Sequence, residues 1–156
     1  MSSTVPSAVR SRQRLTYLTD AGIAIIILAV AVQFASPFAS LLVALAGILI
    51  AAYGSLKLRR SIYAADLHPD ALDEYELQRL AEARNDGLQA ALMTSIGPLI
   101  VTGLIAVSAR LTDFMDGIFV AHIYFKLICA QLAFVPFTVT RSLAGKINRD
   151  ELISSE

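Results

Sequence analysis

Two long runs without charge alternate with three charged stretches along the chain. From Ala21 to Leu56 there are 36 consecutive uncharged residues. As a single helix that run would reach about 54 Å, against roughly 30 Å of bilayer hydrocarbon. It therefore has to fold back, and Ser36-Pro37 supplies the means: Ser suits the N-cap and Pro the first helical position. This predicts helix one over residues 17–35 and helix two over 37–56, a first hairpin with its fold-back at 36–37. Within helix two, Ser40, Ala44, Gly47, Ala51 and Gly54 recur at spacings of four, three, four and three. That period lays five small side chains on one face, where they let two backbones approach closely in lipid.

The second apolar block predicts another hairpin over residues 88–139. Leu88–Ala109 forms helix three, Gly117–Val139 forms helix four, and a short polar loop, 110–116, carries Asp113 and Asp116. Pro98 and Pro136 stand inside these helices. A proline there removes one backbone donor, so each marks an expected kink, and Pro98 leaves the carbonyl of Thr94 without its helical partner.

Between the hairpins lies a connector, residues 57–87. The stretch Lys57–Leu88 carries 12 of the 26 formal charges. His68-Pro69-Asp70 reads as a helix start. Asp70, Asp73, Glu74 and Glu76 follow in the early turns and Arg79 and Arg84 later, the order the helix dipole favours. A short surface helix over 69–86 is expected, ending at Asn85-Asp86-Gly87 with the glycine as its C-terminal cap. Its leucines form no clean stripe, so it is not read as lying flat on lipid. Residues 1–16 and 140–156 are polar and read as cytoplasmic tails, the first a loose one containing Pro6.

The expected fold class is all-α: an integral membrane four-helix bundle of two helical hairpins, with both termini and the charged connector helix in the cytoplasm. Composition agrees, with 56% apolar residues, 17% charged residues and a mean hydropathy of +0.62. Orientation follows from the cations. Three lie in the first tail, five in the connector and three in the last tail, whereas Arg110 is alone on the other side and Lys126 is inside a span. Eleven of 13 on one side places that side in the cytoplasm and the chain in the plasma (inner) membrane. The arginines before helix one resemble the start of a secretory signal, but the apolar stretch is too long and Phe34-Ala35-Ser36-Pro37 is a poor cleavage site. An uncleaved first span is expected.

Candidate chemistry is sparse. Formal net charge is zero, which implies no bulk attraction to nucleic acid. The single cysteine, Cys129, forms no internal disulfide, and no Cys/His cluster has metal-ligand spacing. No phosphate loop, nucleophile elbow or zinc-helix motif is present, so no catalytic residue, metal or cofactor is assigned. Lys126 is the exception. It lies about 15 Å from the outer end of helix four, where a lone ammonium costs several kcal/mol. His122 is one turn outward on the same face, and Gln131 and Gln33 are further polar groups within spans. Asp113 and Asp116 would meet Lys126 only if their loop dipped inward.

Two readings follow. In one, Lys126 snorkels outward or pairs with a carboxylate of another subunit, and the chain is a non-catalytic accessory or structural subunit whose partners are lipid and other membrane chains or itself. In the other, Lys126, His122, Gln131 and Gln33, with Thr102 or the carbonyl of Thr94, form a polar site in a small ion- or proton-coupled transporter or channel. Gln33, three residues from the end of its helix, is expected to make a plain interhelical hydrogen bond, and Asp20 to mark the inner boundary near Arg14.

Overall fold

A computed structural model describes residues 6–62, 73–111 and 116–153, with only the backbone of 109–111. Four helices make up the fold: α1 (Ser7–Gln33), α2 (Pro37–Arg60), α3 (Glu74–Leu111) and α4 (Gly117–Ile153). The protein is all-α, and every one of the four is long and apolar enough to cross a membrane.

The first turn-back follows from its local sequence. Ser36 is extended (φ −156°) and its hydroxyl accepts from the Ala39 amide at 3.3 Å, with Pro37 at the first helical position. The loop is so short that α1 and α2 must lie side by side, and they form the most extensive helix pair. The small residues of α2 face α1: Ser40, Ala44, Gly47, Ala51 and Gly54 are all buried. Gly22 answers them from α1. A Cβ on Gly22 would come 2.5 Å from the Ala51 nitrogen, and one on Gly47 would come 2.8 Å from Ile26 Cγ1. The backbones meet at distances only glycine permits. Across this contact the Ser40 hydroxyl donates to the Ala29 carbonyl at 2.6 Å.

α4 lies against α1, α2 and α3, whereas α3 packs chiefly on α4. The ends bearing most of the charge, namely the starts of α1 and α3 and the ends of α2 and α4, gather at one end of the bundle. Ion pairs join them there: Arg12 to Glu151 (2.8 Å), Lys146 to Glu82 (2.5 Å), Arg141 to Asp20 (2.9 Å) and Arg79 to Asp150.

Several expected boundaries differ, for one shared reason. The connector helix and helix three are one continuous α3, with no break at Gly87; its φ is not positive, and it is not a cap. Gly87 is instead buried where Val139 of α4 crosses, leaving no room for a Cβ. α3 opens at Glu74 behind a reciprocal cap, in which Asp73 Oδ1 accepts from the Glu76 amide at 2.7 Å and Glu76 Oε2 accepts from the Asp73 amide at 3.3 Å. The expected start at His68-Pro69 lies outside the described residues, as does Asp113. The tails are helical too: α1 begins at Ser7, α2 runs on to Arg60, and α4 continues past Val139 to Ile153. These extensions bury apolar groups of their own. Val9, Leu58, Ile62, Ala83, Leu143 and Ala144 are at most 3% exposed. The core thus continues into the charged end, where ion pairs surround it and hold the helices together beyond the length a bilayer requires. Pro98 and Pro136 both sit within unbroken helices. Near them hydroxyls bond to the carbonyl one turn back: Thr94 to Ala90 (2.6 Å), Thr102 to Pro98 (2.6 Å) and Thr140 to Pro136 (3.0 Å).

Candidate functional site

Lys126 is the largest fully buried side chain among the described residues, with 1% exposure. Its position on α4 faces the end of α1, and its ammonium donates to Gln33 Oε1. Gln33 is the last residue of α1 and equally buried. Its own Nε2 donates to the Phe119 carbonyl in the first turn of α4, at 2.7 Å. A helix carbonyl that already accepts from the amide one turn on has a second lone pair to offer. The result is a chain of hydrogen bonds, Lys126 donating to Gln33 and Gln33 to the Phe119 carbonyl, that fastens the end of α1 onto the start of α4. Phe34 and Phe119 close over the same region edge-on, with ring centroids 5.3 Å apart.

The lysine therefore snorkels, but within the protein rather than into water. Phe119 lies seven residues outward from Lys126, about 10 Å along the axis, and the side chain bridges part of that distance. At 1% exposure the ammonium has its acceptor, Gln33, inside the bundle. Among the described residues it pairs with no acid. Asp116, at the mouth of α4, is spent on capping, its Oδ1 accepting from the Phe119 amide at 2.6 Å.

The other expected members of the polar site do not converge on it. His122, one turn outward, is half-buried and is not part of the donor chain. Gln131 is five residues from Lys126, about 140° around the helix at 100° per residue. It points to α3 instead, donating to Ser95 Oγ at 2.6 Å. Thr102 bonds within its own helix. Asp20 meets Arg141 of α4 through both carboxylate oxygens, at 2.9 and 3.1 Å, rather than Arg14.

The charged end contains groups that spacing alone did not single out. Arg12 donates to Asn148 and Glu151, both at 2.8 Å. Ser142 donates to Asp86 at 2.5 Å, linking α4 to α3. Beside it Lys146 hydrogen-bonds to Glu82, and this contact holds the exposed Glu82 carboxyl below its ordinary 4.5, with Gln78 assisting. Arg79 stacks on Tyr75, 4.1 Å from the ring centroid, while reaching Asp150. The available signal was periodicity: Leu143 and Ile147 on α4, and Ala83 and Gly87 on α3, recur four residues apart and mark buried faces within segments that read as polar.

No group of three or more His, Cys, Asp or Glu side chains among the described residues could hold a metal ion. No family model, curated protein or solved structure matches the chain.

Proposed function

We propose that this chain is a multi-pass subunit of the plasma (inner) membrane without catalytic activity of its own, assembling with a second copy or with other membrane chains through the exposed arc of α3. Both termini and the charged helix ends face the cytoplasm in this reading, which rests on the positions of 11 of the 13 cations. One contrast carries the proposal. The apolar stretch of α3 is only 6% buried, against 33% for α1. Gly97 and Gly103 stand in that stretch with nothing within 4 Å of where a side chain would begin. A glycine inside a helix costs about 1 kcal/mol relative to alanine, and in lipid its return is the close approach of another helix. Gly22, Gly47, Gly54 and Gly87 each have that return within the chain; Gly97 and Gly103 have it only against a partner.

The test is extraction in mild detergent followed by mass measurement. A particle several times heavier than 16.8 kDa is expected, reduced toward the monomer by Gly97→Leu with Gly103→Leu. Monomers without companions would overturn the reading. The orientation is tested separately with a membrane-impermeant label, which should miss both chain ends in intact cells.

A second reading, a small ion- or proton-coupled transporter or channel, draws on the burial of an ionisable Lys126 within a span beside His122. It requires pH-dependent flux in liposomes that Lys126→Ala and His122→Ala abolish. Unchanged flux in both variants would rule it out.

A further inference from the structure

The side of α3 turned away from α4 carries a repeat of seven. Asn85, Leu92 and Leu99 form one column, and Gln89, Ile96 and Gly103 form a second, four residues further on. All six are exposed. Leu92 is five residues from Gly87, about 140° around the helix, so the columns stand away from the face that meets Val139. Two columns linked by alternate steps of four and three make the seam along which a pair of helices winds left-handedly.

What lies along the seam selects its occupant. The positive-inside bias gives every copy of the chain one orientation, so a second α3 laid on the first runs parallel to it at the same depth. Each layer then meets itself. Gln89 lies three residues past Asp86, the last charge before the apolar stretch, and Asn85 one turn earlier. An amide both donates and accepts, so each is complementary to its own copy, and one polar layer in such a seam fixes register. The charges agree. In a parallel pair, a residue flanking the seam lies beside the one five further on in the other helix, which sets Glu74 of one copy against Arg79 of its partner. Arg79 has five donors, enough to keep Asp150 as well. Glu82, which falls in the second column, is neutralised within its own chain by Lys146.

The extent is sufficient too. The 35 residues from Glu74 to Ser108 make a helix about 52 Å long, and a contact strip about 10 Å wide along it covers roughly 500 Å² per copy, or about 1,000 Å² in all, where specific interfaces begin. We infer that the partner of α3 is a second copy of this chain, packed in parallel about a two-fold axis and held in register by Asn85 and Gln89. The inference rests on α3 as the assembly surface proposed above and names what it meets. Of the two open glycines, Gly103 lies in the seam, whereas Gly97, six residues away, lies about 120° off it.

The test is cysteine cross-linking of the full-length chain in its own membranes, with Cys129→Ser removing the one natural thiol. Leu92→Cys and Leu99→Cys should each give dimer in at least about tenfold higher yield than Leu104→Cys, which is comparably exposed on α3 but about 140° from Leu99. Gly103→Leu should lower the yield at position 99 at least about fivefold, and Gly97→Leu should leave it within about twofold. Differently tagged copies, one carrying Leu92→Cys and the other Leu99→Cys, should not cross-link, because that needs a slip of one repeat. Adding Asn85→Leu with Gln89→Leu to both should release the register and let mixed dimers appear. Equal yields at positions 99 and 104, mixed dimers with the amides intact, none after their loss, or a greater effect of Gly97→Leu than of Gly103→Leu would each overturn the seam. With any of these, a heavier particle in mild detergent would still leave α3 as an assembly surface for another partner. Monomers there would overturn that surface, and the seam with it.

Discussion

The two hairpins solve the problem of helix association in different ways. In α1 and α2, contact is made by backbone against backbone: Gly22, Gly47 and Gly54 all lie where a Cβ would strike the facing helix. In α3 and α4, contact is concentrated at the charged end, through Gly87 against Val139 and ion pairs from Arg79 and Glu82, with Gln131 and Ser95 higher up. Lipid offers no hydrophobic drive between helices, so steric fit and polar bonds must supply the attraction. The first hairpin relies on fit and is closed. The second relies on polar bonds and leaves most of the apolar part of α3 exposed.

Glycine substitutions break the comparison most directly. Gly22→Leu should destabilise the first hairpin by about 3 kcal/mol or more, because its side chain would enter the backbone of Ala51. Gly103→Leu should not destabilise the isolated chain, since nothing stands in its way, and the gain in helix propensity should add up to about 1 kcal/mol of stability. Both are read from unfolding in mixed detergent micelles, and equal effects would erase the distinction between the hairpins.

The next largest effect tests the clasp between them. Gln33→Leu removes the acceptor from a buried ammonium and should cost about 1–3 kcal/mol. Adding Lys126→Leu should recover most of that loss, because two apolar groups can replace a buried polar pair at little net cost. The coupling in the double-mutant cycle is the decisive quantity, and additive effects would show that the two side chains do not act together. Ser40→Ala deletes one hydroxyl bond across α1 and α2. It should cost only about 0.6 kcal/mol, the average for such bonds in membranes, because glycine contacts on either side remain.

The smallest effect concerns the polar end of the second hairpin. Glu82 has its carboxyl held below the ordinary value by Lys146, so its ion pair favours the folded end at pH above about 4.5 and that contribution is lost as pH falls through the lowered value. Amide exchange in the first turns of α3 should therefore quicken in acid. In Lys146→Ala the acid-induced change should be smaller, and an unaltered pH profile would remove Glu82 from the linkage.

Much of the architecture was legible before any coordinates because single residues enforced it. A 36-residue uncharged run cannot cross once, Ser36-Pro37 offers the one good reversal, and five small residues at helical spacing can only define a face. The partner of Lys126 was not legible in the same way. Gln33 is 93 residues away, and its reach to Lys126 depends on how far α1 extends past the fold-back and how α4 is rotated. Helix ends in the charged segments were also decided late. Charge density alone reads as a solvated tail, whereas Arg12, Asp20, Glu82 and Asp150 are ordered by partners on another helix.

By itself, then, the order of residues determined the number of helices, the place of the first turn and the face on which α2 packs, because each follows from local chain length, capping and 3.6-residue periodicity. Only the tertiary structure decided which acceptor satisfies the buried ammonium and that α3 runs unbroken through Gly87. Those outcomes depend on the rotation and depth of one helix against another, quantities that arise from all the contacts at once and are written in no single stretch of the chain.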